Sequence, residues 1–458
     1  LREGLVPILA AAVLLLVEAA PAQETGAPSG VSLPHEAADL SVRLRSAVGY
    51  VAMIGIAFAF SRARRAIARR TVLWGIGLQF AFALVVLRLP SIGRPFFDGV
   101  GSVFDRLLKF TGEGARFVLG SLAVGPGEGG TMGFIFVTQV LPTIIFFASL
   151  MTVLYHLGVM QLVVGAMAKL MQVTMRTSGA ESLSAAANIF VGQTEAPLLV
   201  KPFVGRMTAS ELMAVMVGGF STIAGGVMAA YIGFLRPRFP DIAGHLLAAS
   251  VMNAPAGLLL AKIFLPETGE PETRGKLRIH VERPDANVIG AAARGAGEGV
   301  TLVLNVTAML LAFTGLIALL NALLGWAGGH VGIGGLTLQS LLGSVLRPIA
   351  WLLGVNWGEA GAVGGLLGEK IVLNEFVAYS HLGDGLAKGT LALTDRSVTI
   401  ASYGLLGFAN FASIAIQIGG IGGLAPERRG DLARLGLRAM IAGTLAAYMS
   451  AAIAGILV

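Results

Sequence analysis

The chain has 458 residues, 55% hydrophobic and only 13% charged, with 63 glycines and no cysteine. Soluble domains carry about 25% charged residues, so this composition excludes an ordinary soluble protein and points to a polytopic membrane protein. The missing cysteine excludes disulfides and thiolate metal sites; the net charge of +7 sits in short loops between apolar runs, which is the positive-inside pattern and not a nucleic-acid surface.

Within residues 1–22, Arg2 precedes the apolar run LVPILAAAVLLLVEAAPA (5–22), which ends in Ala20-Pro21-Ala22. This reads as a secretory signal peptide, with an uncleaved anchor helix as the alternative because Glu18 interrupts the run. Residues 23–45 are polar and carry Pro and Gly, as a loosely ordered periplasmic segment would. The first core span is expected at about 46–61. RARRAIARR follows, with five arginines between Arg62 and Arg70, and belongs in the cytoplasm. A second span falls at about 71–89. From 94 to 121, Phe97, Val100, Phe104, Leu107 and Leu108 alternate with Asp98, Asp105, Arg106 and Lys109, the pattern of an amphipathic helix lying in the interface. A third span, about 132–157, carries a kink at Pro142. These elements, 46–157, form one scaffold.

Residues 159–177 read as another interfacial helix with Lys169 and Arg176. The next stretch, NIFVGQTEAPLLVKPF from Asn188 to Phe203, sets Gln193, Thr194, Glu195 and Lys201 among residues apolar enough for lipid. A carboxylate at bilayer depth costs at least ~2.5 kcal/mol, so Glu195 needs a partner, a wet cavity or a ligand. Gly192 and Pro197 loosen the chain on either side. A re-entrant hairpin at about 180–204 meets these demands and a continuous span does not. Spans follow at about 208–235, containing GGFSTIAGG, and 242–265, closing a unit 158–265. The polar loop 266–297 bears Arg274, Lys276, Arg278, Arg283 and Arg294 and is placed inside; with a scaffold span at about 300–325 it makes up 266–337.

The last unit, 338–458, opens with an interfacial helix at 338–354. A second interrupted stretch, GEKIVLNEFVAY from Gly368 to Tyr379, then buries Glu375 beside Asn374, so a second hairpin is expected at about 358–380. Spans at about 398–422 and 435–457 flank the basic loop ERRGDLARLGLR. The fold class is therefore all-α: about eight transmembrane helices, two re-entrant hairpins and interfacial helices. Both ends lie outside the cytoplasm, although Arg236 and Arg238 sit in a short outer loop against the charge rule. Hairpin plus span recurs with opposite orientation, 180–235 and 358–422. Such an inverted repeat places substrate where the two tips meet.

GQTEAPL (Gly192–Leu198), NEFVAY (Asn374–Tyr379) and GFANFASI (Gly407–Ile414) resemble the signature segments of the concentrative nucleoside transporters, of the bacterial sodium-coupled type. The likeness runs in order from about Leu44 to the C-terminus. It implies a symporter that imports nucleosides across the bacterial inner membrane on a sodium gradient by alternating access, as a homotrimer. Gln193, Thr194 and Glu195 offer donors and acceptors suited to a nucleobase, or else a polar cluster that merely closes the hairpin. Glu375 can accept two hydroxyl hydrogens of a ribose diol, with Asn410 and Ser413 on one face of the span beside it. The resemblance assigns the same roles and puts Phe408 beside the base, where core packing is the plainer reading. It also places sodium at Asn188, Val191, Thr222 and Ile223, through side chains at Asn188 and Thr222 and carbonyls at Val191 and Ile223.

Alternatives are a proton as coupling ion, although the intact GQTEAPL favours sodium, an intramembrane enzyme using Glu195 and Glu375 as an acid–base pair, and a channel. The chain offers no nucleophile elbow, no phosphate loop after GGIGG and no paired histidines for a metal, so no catalytic residue is expected.

Overall fold

The computed structural model of the protein describes residues 39–125, 130, 132–133, 135–275, 285–330, 332 and 334–458. The expected signal peptide, most of the segment 23–45, and Lys276, Arg278 and Arg283 lie outside the described residues. The described secondary structure is helical.

Helix α1 (Leu40–Ala59) is capped by the Asp39 carboxylate and starts six residues before the expected span. It is followed by α2 (Arg69–Leu87) and by the amphipathic α3 (Pro90–Leu119). The third span is a short α4 (Phe136–Gln139) and α5 (Pro142–His156), offset at Pro142 because proline donates no backbone hydrogen. Helix α6 (Val159–Met175) leads into the first hairpin: α7 (Gly179–Ala187), an irregular stretch 188–195, a tight turn of helix Ala196–Val200 and α8 (Lys201–Val204).

Two expected spans prove to be broken. The span 208–235 is α9 (Ala209–Ser221) and α10 (Gly225–Leu235), and the span 398–422 is α16 (Asp395–Leu405) and α17 (Phe411–Leu424). Thr222 is extended, with φ −123° and ψ 176°, and its hydroxyl turns back to donate to Gly218 O at 2.9 Å, competing with the helix ladder. In the second break Gly407 takes φ +106°, and Asn410 restarts the helix as an N-cap, accepting from Ser413 N at 2.9 Å. The breaks touch each other: a Cβ on Gly407 would lie 2.6 Å from Phe220 O.

Between these units lie α11 (Ile242–Phe264) and α12 (Val288–His330). The latter is about 65 Å long at the usual helical rise; it absorbs the last ten residues of the expected polar loop, where Gly295 and Gly299 let the helix lie close on α5, a Cβ on either meeting Ala148 O or Ile145 Cα at 2.7 Å. Helix α13 (Leu338–Leu353) and α14 (Trp357–Val372) meet at 115°, and α14 forms the second hairpin with α15 (Glu375–Lys388) across Leu373–Asn374. Helix α18 (Arg429–Leu457) ends the chain. By length and hydropathy, seven described helices or helix pairs can cross a membrane, eight if the bent pair counts. Helices α11 and α18 are almost wholly enclosed, whereas little of the apolar α12 is buried within the chain.

The repeat is visible in how the hairpins are tied. In the first half, Ser178 and Thr208 each head a capping box, with Glu181 and Glu211. The Ser178 hydroxyl donates to Glu211 Oε1 at 2.6 Å, joining hairpin to span. In the second half Glu359, in the first turn of α14, accepts from the Thr394 hydroxyl at 3.1 Å at the cap of α16. Lys262 closes the first mouth through buried ion pairs with Glu181 at 2.7 Å and Glu267 at 3.3 Å.

Candidate functional site

The two hairpin tips and the two breaks converge. Glu375 opens α15 just past the second tip and is buried. Its Oε1 accepts from the Tyr231 hydroxyl at 3.1 Å and its Oε2 from Asn410 Nδ2 at 3.0 Å. Asn410 caps α17, so the positive ends of α15 and α17 both face this carboxylate. Asn374 caps α15 through Val377 N at 2.9 Å, which keeps the helix start in register. Ser413 is one turn along α17 and accepts from Gln193 Nε2 at 3.2 Å. Gln193 belongs to the first tip, so one polar chain runs from Tyr231 through Glu375, Asn410, Ser413 and Gln193. It extends to Gln417, whose Nε2 donates to Gln193 Oε1 at 3.0 Å.

The structure thus brings together Gln193, Glu375, Asn410 and Ser413. Thr194 packs its methyl against Gly420 of α17. Glu195 is exposed, its carboxylate folded back over Gly192 and within electrostatic reach of Glu298 on α12. It joins none of the hydrogen bonds around Glu375. Phe408 is half-buried beside the break and packs against the core.

At the first break Asn188 and Thr222 are buried. Asn188 Nδ2 donates to Ser184 O at 3.0 Å, while its Oδ1 is buried without a hydrogen-bond partner. Ile223 follows Thr222 in the unwound segment, and Val191 lies past the end of α7, where Gly225 N donates to the neighbouring Phe190 O at 2.9 Å. A buried amide oxygen without a partner, next to two stretches of unwound backbone, is a group that a cation could engage without further negative charge.

Sequence reasoning missed several partners. Tyr231 stacks on Tyr379 with ring centroids 4.2 Å apart. Lys370 is fully buried and donates to Gly404 O at 3.0 Å and Leu406 O at 2.9 Å, holding the end of α16. From α11, Ser250 donates to Ile189 O at 3.0 Å and Asn253 to Ser221 O at 2.7 Å, so one helix face grips the unwound part of the first hairpin and the break after α9. The signal for Gln417 was its spacing of four from Ser413 and seven from Asn410, a polar stripe on an apolar helix. A separate cavity of about 490 Å³, lined by Gln339, Gly365, Glu369, His381 and Asp384, contains none of the residues singled out above. There His381 Nδ1 meets the buried Glu369 carboxylate at 3.0 Å.

Three family models match the chain: "Na+ dependent nucleoside transporter N-terminus" over 48–122, "Nucleoside recognition" over 137–238 and "Na+ dependent nucleoside transporter C-terminus" over 245–455. An uncharacterized transporter of Haemophilus influenzae is 47% identical, covering 91% of this chain and 98% of that protein. Sodium/nucleoside cotransporter 1 of Rattus norvegicus is 42% identical over 91% of this chain and 64% of its own longer length. Among solved structures, CNTnw in an inward-facing substrate-bound state superposes with a TM-score of 0.82 at 44% identity, over 91% of this chain and 98% of that one. An outward-facing variant of CNTnw gives 0.85 at 43% identity over the same shares.

Proposed function

The chain belongs to the Na+ dependent, concentrative nucleoside transporter family, a family of transporters and not of enzymes, and we propose that it is a secondary active symporter that imports nucleosides on a sodium gradient. The observation that carries this reading is the Glu375 carboxylate held between Tyr231 and Asn410, with the Gln193–Ser413 pair next to it. Glu375 and Asn410 face the ribose hydroxyls, and Gln193, Thr194 and Glu195 the base, with Phe408 as a wall beside it. A buried carboxylate in an apolar bundle is costly; two hydroxyls of a bound sugar satisfy the lone pairs it presents.

Sodium sits at Asn188 and Thr222, completed by the carbonyls of Val191 and Ile223. The orphaned Asn188 Oδ1 supports this site. The ion fixes the first tip, and the fixed tip presents Gln193 ready oriented, so ion and nucleoside bind with positive coupling. Inward- and outward-facing states are known for CNTnw, and alternating access between such states moves the cargo here. The protein works as a homotrimer in the bacterial inner membrane, with both ends on the periplasmic side.

The test is uptake of radiolabelled uridine into proteoliposomes under an inward sodium gradient, an inward proton gradient, or neither. Accumulation that requires sodium supports the proposal. Accumulation that follows the proton gradient and ignores sodium overturns the coupling ion, and no accumulation under any gradient overturns the substrate.

A further inference from the structure

We propose that Gln417 is a positioning residue that fixes which end of the Gln193 amide faces the nucleoside base, and so sets base preference. This deepens the reading in which Gln193 faces the base, and rests on it.

The argument is one of donor and acceptor polarity. Gln417 Nε2 lies 3.1 Å from Met216 O and 3.0 Å from Gln193 Oε1. A backbone carbonyl only accepts, so the end of the Gln417 amide that faces Met216 must be its NH2 group. That same NH2 group faces Gln193, which therefore turns its oxygen toward Gln417. The NH2 group of Gln193 is left pointing at Ser413 Oγ, 3.2 Å away. Polarity thus runs from a fixed main-chain carbonyl in α9, through Gln417 on α17, to the tip of the first hairpin.

Two further observations support the assignment. A Cβ on Gly219 would lie 2.8 Å from both Gln417 Nε2 and Gln193 Cβ, so the two amides are pressed together over a residue with no side chain. Gln417 is fully buried, and its own Oε1 has no hydrogen-bond partner. An apolar side chain would fill that position without leaving a buried oxygen unpaired. The amide is explained by what it does to Gln193.

With one oxygen lone pair engaged by Gln417 and one hydrogen by Ser413, Gln193 has one N–H and one lone pair left to offer a ligand, each on a side fixed by that polarity. Uracil reads acceptor then donor at positions 4 and 3, and cytosine reads donor then acceptor. An amide of fixed polarity must distinguish these mirrored edges.

The experiment measures uridine and cytidine affinities of the purified full chain at saturating sodium, for the unaltered protein, Gln417→Glu, Gln417→Met and Gln193→Ala. The unaltered protein prefers one nucleoside by roughly tenfold or more, the scale of one unpaired buried hydrogen bond. In Gln417→Glu, buried and neutral, a hydroxyl takes the place of the NH2 group; it gives its single hydrogen to Met216 O and turns its oxygen lone pairs to Gln193. The Gln193 amide then flips, and the preference inverts. Gln417→Met keeps the volume, removes the constraint and erases the preference, while the sodium requirement stays unchanged. Equal affinities in the unaltered protein, or variants that weaken both nucleosides by the same factor, would overturn the proposal. If Gln193→Ala leaves both affinities intact, the site assignment itself fails. If Gln193→Ala weakens binding but neither Gln417 variant moves the ratio, only the role of Gln417 fails.

Discussion

Asn410 donates to the Glu375 carboxylate at 3.0 Å although the two lie 35 residues apart, one at the cap of α17 and the other in the first turn of α15. Each follows a break in an otherwise apolar segment. Both helices therefore direct their unpaired N–H groups at the same volume. The two helix starts thus share the work of holding a buried carboxylate, with Tyr231 and Asn410 as its direct donors.

If Glu375 grips a sugar diol, shortening it should matter most for substrates with both hydroxyls. Glu375→Asp withdraws the carboxylate from Tyr231 and Asn410 and removes its reach to one hydroxyl. Binding of uridine should fall roughly tenfold or more, the worth of one charge-assisted hydrogen bond, and 3′-deoxyuridine should fall less. Equal losses for both would make Glu375 a structural tie between α10, α15 and α17.

The crossing of the two breaks makes a stability prediction. Gly407 combines φ +106° with a Cβ position 2.6 Å from Phe220 O. Gly407→Ala must strain the backbone and push the breaks apart, at a cost of about 1–3 kcal/mol. The thermal midpoint of the purified protein should drop by several degrees. Gly419→Ala, where a Cβ meets nothing within 4 Å, is the control and should leave it in place.

How much of this was readable beforehand follows from the chemistry of each segment. The hairpins were legible because Gln193, Thr194, Glu195 and Glu375 are expensive in lipid and sit beside Pro, Gly or Asn. The breaks at 222–224 and 406–410 were not, because Thr-Ile-Ala and Leu-Gly-Phe carry no charge and a hydropathy pattern runs straight through them. What opens them is tertiary: the Thr222 hydroxyl bonding back to Gly218, Asn253 taking Ser221 O, and Lys370 taking Leu406 O. Tyr231 was invisible for a related reason, since a phenol in an apolar span announces nothing until its hydroxyl meets Glu375. The position of Glu195 was not readable either: its carboxylate folds over Gly192 and joins none of the hydrogen bonds around Glu375.

That geometry separates two roles for Glu195. Glu195→Gln retains the shape of the tip and removes its charge. If the carboxylate reads the base once substrate is bound, uridine uptake should fall by tenfold or more while the yield of folded protein stays normal. Gly192→Ala puts a methyl group where the Glu195 carboxylate lies, and should lower uptake by displacing the same group. Near-normal transport in Glu195→Gln with a defect in Gly192→Ala would instead make Glu195 a closure for the hairpin.

The coupling ion decides the mechanism, and it has the sharpest test. Asn188 and Thr222 belong to different elements, the end of α7 and the end of α9, and both lie where helix gives way to open chain. Asn188 leaves one oxygen unpaired, and the Thr222 hydroxyl, having given its hydrogen to Gly218 O, keeps its lone pairs. An ion bound between them would tie the first hairpin to the broken span, and its loss should loosen the tip that carries Gln193. Thr222→Val keeps the shape and removes the hydroxyl. It should raise the sodium concentration for half-maximal uridine binding roughly tenfold, equivalent to ~1.4 kcal/mol, with uridine affinity recovering at saturating sodium. Coupling between two sites is reciprocal, so uridine must tighten sodium by the same factor by which sodium tightens uridine. The measurement is a sodium titration of uridine binding at fixed pH, with potassium replacing sodium, repeated across a pH series. Tight uridine binding in potassium, or a Thr222→Val protein whose sodium dependence matches the unaltered one, would remove sodium from this site.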